Sequence, residues 1–427
     1  MLNSYISVIK NTNFRNIWLG QITSQISLNM LIFVLAIMVY QTTRSSTVVS
    51  LMLLCFAIPS VIFGVVAGGI VDFYDKRIVL LLCNISRVFI FIGFFLFANN
   101  ILAIFILAIL ISISTQFFIP AEAPSIPNLV EPSQILTANS LFTISFYLST
   151  VLGFILSGPM IRLFGETFVY LFMGSLMILA TAFIYLLPSI KATKGKSKIN
   201  ITFSLFTDTT KEGLLFIREN IRVRQSLLLL TFSQALIATL AVLGPGFSDR
   251  ILNIDLKDAS YLIMGPAAIG LVLGAFWVGG FGNRYLKGTI ILLGMWGVAF
   301  CLLLLSLLTK AGKPSIGLFI YFLHRRFVLN NLMMAIGLLF FLGIFNSFVS
   351  VPANAILQSD SDTKMQGRIY GVLTSLTGGV SILPGIFSGI LADVAGVGRA
   401  LSVIGVLVLI SGIYHYLQRR KVNTTIN

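Results

Sequence analysis

The sequence predicts an all-α membrane protein with twelve transmembrane helices in two pseudo-symmetric six-helix bundles and both termini cytoplasmic. Three observations carry this. Of 427 residues, 57% are hydrophobic and only 10% charged, with a mean hydropathy of +0.98, whereas a soluble domain carries about 25% charged residues. Apolar runs of about 20 residues, enough to cross a hydrocarbon core of about 30 Å, recur along the whole chain. Short pieces of the first half return in the second in the same order.

No water inside a bilayer satisfies the backbone, so each run is a helix or a strand of a closed barrel. Barrel strands alternate apolar and polar positions, whereas residues 101–113 and 290–308 are apolar on every side. Polar residues, Gly and Pro then bound helices at 16–40, 46–71, 78–98, 101–119, 137–162, 167–188, 225–247, 259–281, 289–308, 330–352, 368–391 and 398–418. The first run is too long for the apolar part of a cleavable signal and is expected to remain as helix 1.

The net charge of +15 acquires meaning from its placement. Of the 29 Lys and Arg residues, 19 fall on the side shared with the termini, among them Lys10, Arg77, Lys198 and Arg420. Nine fall on the other side, and Arg87 lies within a helix. That excess places the termini in the cytoplasm, so the charge is a topology signal and implies no nucleic acid partner. Cys55, Cys83 and Cys301 stand in or beside apolar runs without metal spacing and read as small core residues.

The longest cytoplasmic connection divides the chain into a bundle at 1–190, a linker at 191–224 and a bundle at 225–427. Pro120-Ala121-Glu122-Ala123 returns as Pro352-Ala353-Asn354-Ala355, and Ser157-Gly158 returns at nearly the same offset as Ser388-Gly389. Between helices 2 and 3, Gly68, Asp72 and Lys76 match Gly279, Asn283 and Lys287 at a shorter offset. An external segment at 309–329, which replaces the short turn at Asn99-Asn100, accounts for the difference; its part at 316–322 is expected to be an amphipathic interfacial piece. Parallel repeats of six helices are the arrangement of transporter halves that rock about a central site.

The run from Gly68 through Asp72 to Lys76 and Arg77 resembles the loop motif of the major facilitator superfamily: Gly, three residues, Asp, then basic residues. Stretches at 21–29, 120–129, 138–141, 352–358 and 367–371 resemble its macrolide-efflux and enterobactin-exporter-like branch, and the resemblance covers nearly the whole chain. Three departures stand out. Asn29 occupies a place where the branch commonly has aspartate, Phe73 stands where a basic residue often follows the motif Asp, and Gly158-Pro159 lies one turn from the antiporter motif's Gly-Pro.

The resemblance implies a conformational switch at Gly68, Asp72, Lys76 and Arg77, which latches the bundles on the cytoplasmic side and releases them. It also implies a cavity lined by helices 1, 4, 7 and 10, which carry Gln21, Gln25, Asn29, Ser112, Gln116, Gln234, Asn346 and Ser350. Spacing of four puts Gln21, Gln25 and Asn29 on one helical face. Such residues either join helices by hydrogen bonds or line a neutral polar cavity, which with abundant Phe and Met suits an apolar or amphipathic ligand. None of the fourteen acids lies in the middle third of an expected helix. Glu122, between Pro120 and Pro124, is the candidate coupling acid, with a surface loop carboxylate as the alternative; Arg87 is the one base well inside a helix and needs a partner, structural or switching.

Enzyme classes find no support. No phosphate-binding loop of the Gly-x4-Gly-Lys-Ser/Thr kind is present, and His324 and His415 stand far apart without metal-ligand spacing, so no cofactor and no metal are expected. The expectation is therefore a monomeric, multi-pass cell-membrane protein with a lipid bilayer around it, a small-molecule substrate and protons as coupling ion. By resemblance it exports a drug, macrolide or siderophore. A lysophospholipid transporter of the same superfamily is the alternative, since residues 352–358 resemble that branch also; a non-transporting sensor or scaffold is the alternative of another class.

Overall fold

The computed structural model describes residues 2–71, 73–190, 217–252, 254–281, 285–310, 316–320, 325–329, 331–359, 378–379 and 382–425. Its helices are α1 (Leu2–Lys10), α2 (Thr12–Thr43), α3 (Ser46–Val71), α4 (Lys76–Leu96), α5 (Ile101–Glu122), α6 (Ile135–Tyr185), α7 (Ile221–Phe247), α8 (Gly265–Phe281), α9 (Lys287–Lys310), α10 (Asn331–Ser359), α11 (Ile382–Ala395) and α12 (Val397–Thr425). Ten of the described helical stretches are long and apolar enough to cross a membrane, and Leu383–Ala395 is a shorter apolar helix.

Several local outcomes differ from the sequence expectation. A helix α1 precedes the first apolar run; Asn11 then starts α2 by accepting the Asn13 and Phe14 N–H groups and donates to the Leu129 carbonyl. The runs expected at 137–162 and 167–188 form one element, α6, whose backbone breaks at Gly165 (φ 82°, ψ 172°), a conformation that a Cβ would strain. The external segment holds an antiparallel hairpin, β1 (Ile316–Ile320) with β2 (Arg325–Leu329), Ile316 opposite Leu329 and Ile320 opposite Arg325. The piece expected to be amphipathic and interfacial at 316–322 is a strand over 316–320, where the β-branched Ile316 and Ile320 suit an extended backbone. Residues 191–216 of the linker at 191–224, Asp72, His324 and half of the run at 368–391 lie outside the described residues.

Contacts divide the chain into two compact units, one of residues 1–39 and 51–212, the other of residues 40–50 and 213–427. The first has a core that joins Val8, Phe14, Leu80, Cys83, Phe118 and Ala138. Trp18 Nε1 donates to Ser145 Oγ at 2.7 Å and Ser27 Oγ to the Met173 carbonyl at 2.9 Å, which ties α2 to both arms of α6. The second core joins Val223, Leu227, Ile291, Met295, Val349 and Leu357. There glycines let helices touch at the backbone: a Cβ on Gly270 would lie 1.9 Å from the Phe340 carbonyl oxygen, and one on Gly343 equally close to that of Ala267. Small residues at a membrane helix contact permit this approach, where apolar burial supplies no drive.

Candidate functional site

Arg87 has no exposed surface. Position 87 lies on the inner face of α4 with Leu80, Cys83, Asn84 and Phe91, so the helical period that buries its apolar neighbours buries the guanidinium as well. Its Nη1 donates to Asn84 Oδ1 and Nη2 to Thr115 Oγ1, each at 3.1 Å, and its charge sits 4.3 Å from the centre of the Phe118 ring. Nε has no hydrogen-bond partner.

Glu122 is the last residue of α5, just before the 310 turn Ala123–Asn128 that Pro124 starts. Helix 4 runs three residues past its expected end at 119, which carries Glu122 inside; only 7% of its surface is exposed. Its Oε1 is buried with no hydrogen-bond partner, and its carboxyl interacts electrostatically with Arg87. The two candidate coupling residues thus lie on neighbouring helices within electrostatic reach; among the described residues they form no ion pair within 4.0 Å. The guanidinium and carboxyl are near enough to feel each other, yet both Nη groups are held by neutral partners.

The expected cavity residues fare differently. Gln21 is buried with its Oε1 unpartnered. Asn29 donates to the Gln25 carbonyl at 2.8 Å and to its Oε1 at 3.3 Å, so this pair is satisfied along its own helix. Ser112 Oγ donates across to the Phe56 carbonyl at 2.6 Å, a bond between helices, while Gln116 Nε2 reaches only the Ser112 carbonyl at 3.5 Å. In the second unit Asn346 is buried with an unpartnered Oδ1, Gln234 is exposed and Ser350 is half-buried.

At the switch loop Gly68 falls in the last turn of α3, and Lys76 opens α4 with a buried side chain and its N–H on the Ile190 carbonyl at 3.1 Å. The residue that organises this loop is one the sequence reading passed over. Asp75 caps α4 by accepting the Arg77 N–H at 2.9 Å, and it also accepts Ser189 Oγ and the Ile190 N–H. Arg77 Nη2 donates to the Tyr185 carbonyl at 2.6 Å with the guanidinium over that ring. An Asp immediately before an apolar helix was the available signal.

The family model of the Major Facilitator Superfamily matches residues 17–385. The chain belongs to that superfamily. Among its relatives an uncharacterized MFS-type transporter, YfiS of Bacillus subtilis (strain 168), is 25% identical over 391 residues, 89% of this chain and 86% of that one. Macrolide efflux protein A of Streptococcus pyogenes is 22% identical over 410 residues, 93% of each chain. Of solved structures, the nucleoside transporter NupG superposes with a TM-score of 0.71 at 13% identity, over 95% of this chain and 98% of that one. An inward-facing, unoccupied bacterial homolog of the human lysosomal transporter Spinster gives 0.71 at 15% identity, over 95% and 96%. This member of the superfamily is thus a multi-pass membrane transporter, not an enzyme.

Proposed function

We propose that this transporter exports a hydrophobic or amphipathic small molecule across the cell membrane in exchange for protons, with Glu122 as the coupling acid and Arg87 as its counter-charge. The buried Glu122 carboxyl, one oxygen unpartnered and in electrostatic reach of Arg87, carries the reading. A carboxyl buried with an unpartnered oxygen is expensive to keep unless it has work to do. Here it can exchange a proton as its interaction with Arg87 tightens and loosens, which would let a proton gradient bias an alternating-access cycle.

The export direction rests on the likeness to macrolide efflux protein A. The orientation rests on the basic excess at the terminal side, and the count of twelve on reading α6 as two crossings about Gly165 and α11 as one. Gly68, Asp72, Lys76 and Arg77 form the cytoplasmic switch in this reading, and Gln21, Gln25, Asn29, Gln116, Gln234 and Asn346 line the substrate path of a monomer.

Efflux of macrolides and lipophilic fluorescent dyes from proteoliposomes, with and without a proton gradient, tests the proposal. Gradient-driven efflux by the wild type that is lost in Glu122→Gln is the expected result. Efflux indifferent to the gradient, or movement of lysophospholipid alone, would overturn it.

A further inference from the structure

The 310 turn that follows Glu122 has few hydrogen bonds of its own. Pro124 and Pro127 lack N–H groups, so two bonds that a continued helix would make here cannot form. Within the turn the Ser125 hydroxyl reaches the Ala121 carbonyl at 2.6 Å, Asn128 Nδ2 the Pro124 carbonyl at 2.9 Å, and the Leu129 N–H the Ile126 carbonyl at 3.0 Å. Even so, Ser125, Ile126 and Leu129 are buried, as is Glu122 just before them.

The N-terminal segment supplies a hold from outside the turn, and all of it lies in the first unit. Asn11, between α1 and α2, donates from Nδ2 to the Leu129 carbonyl at 2.8 Å, while its Oδ1 accepts the Asn13 and Phe14 N–H groups. One side chain thus caps α2 and fastens the end of the turn. Val8 of α1 is fully buried in the cluster that also contains Phe118, Ala121, Ile126 and Leu129, the apolar residues on either side of Glu122. Gln134, the residue before α6, reaches the Ser7 hydroxyl at 3.4 Å. A helix of nine residues is too short to be stable alone, so α1 owes its order to this docking.

We propose that α1 and Asn11 form a strap that positions the coupling acid. By pinning Leu129, Asn11 keeps α5 wound through residue 122 and holds the Glu122 carboxyl inside the bundle, in reach of Arg87. With the strap released, the end of α5 is free to unwind toward Pro120, which returns residue 122 to the loop. Asn11 touches neither proton nor substrate; it is a positioning residue that acts through the backbone of the turn. The inference rests on Glu122 as the coupling acid, but its first test needs no transport.

Asn11→Asp separates the two tasks of the side chain: an ionised Asp still accepts the Asn13 and Phe14 N–H groups but has nothing to donate to Leu129. The rate at which N-ethylmaleimide alkylates Glu122→Cys, in protein with Cys55 and Cys301 replaced by alanine, reads burial at position 122. Native Cys83, in the same core but on α4, is the internal reference, and peptide mass spectrometry resolves the two thiols. Asn11→Asp should speed alkylation at 122 relative to Cys83 by about fivefold, the ratio that loss of one hydrogen bond sets. Val8→Ala, which thins the packing of α1, should speed it by about twofold, and decides alone if Asn11→Asp does not fold.

Unchanged rates at 122 would overturn the strap, as would a parallel rise at Cys83, which reports general loosening. In transporters that keep Glu122, Asn11→Asp should weaken gradient-driven efflux by the same factor and leave counterflow without a gradient near the parent rate; equal loss of both would overturn the positioning role. A wild type that ignores the gradient while the alkylation ratio rises as stated would instead overturn Glu122 as the coupling acid and leave the strap in place.

Discussion

The two units hold their interiors together by different means. In the first, Arg87 of α4 and Glu122 of α5 put a base and an acid inside the bundle, the base held by Asn84, Thr115 and the Phe118 ring. The repeat that matches Lys76 to Lys287 carries Arg87 onto Val298, and the one that matches Pro120 to Pro352 carries Glu122 onto Asn354. Neither equivalent position in the second unit is charged; Val298 is fully buried as an apolar residue, and Gly270, Gly294, Gly297 and Gly343 bring helices together there. The first unit thus buries ionisable side chains where the second packs backbone against backbone.

The largest effect is expected from the glycine contact. Gly343→Ala puts a Cβ 1.9 Å from the Ala267 carbonyl oxygen, backbone against backbone, and should cost about 3 kcal/mol or more. Gly279→Ala, with nothing within 4 Å of its added Cβ, should leave stability unchanged. Thermal unfolding in detergent compares them, and similar loss at both positions would show that the close backbone approach at Gly343 does not set the packing of the second unit.

Arg87→Met comes next. Removing the guanidinium takes away its buried hydrogen bonds to Asn84 and Thr115 and its place on the Phe118 ring, and should destabilise by about 3 kcal/mol. Adding Glu122→Gln to it should return part of that loss. Additive effects of the two substitutions in a double-mutant cycle would show that the residues do not interact.

Asp75→Asn weakens the cap of α4 and its ties to Ser189 and Ile190, and should lower stability by about 1 kcal/mol. Smallest is Arg44→Gln. The Arg44–Asp249 pair is 60% and 33% exposed, so solvent screening should hold its effect on global stability below about 1 kcal/mol, less still at high salt.

The apolar runs made most spans legible, since hydropathy and length alone decide them. Arg87 and Glu122 were visible as anomalies, a base inside an apolar helix and an acid between prolines. Their pairing was not, because it depends on where α5 ends: three residues beyond the expected boundary turn a loop carboxylate into a buried one. Asn11 escaped notice because its partner Leu129 stands 118 residues on, and an Asn before an apolar helix reads locally as a cap alone. Asp75 was overshadowed by Asp72, which fits the family motif, although only Asp75 immediately precedes α4. Short α1 was missed because nine residues with polar positions among apolar ones leave little signal beside a run that spans the bilayer.

The central claim is that Glu122 couples transport to protons without being needed for substrate passage. The most direct test measures, in the same proteoliposomes, gradient-driven efflux and substrate counterflow without a gradient, for wild type and Glu122→Gln. The account predicts that Glu122→Gln keeps counterflow near the wild-type rate and loses the response to the gradient. A variant that retains gradient-driven efflux, or that loses both activities while folded, would contradict it.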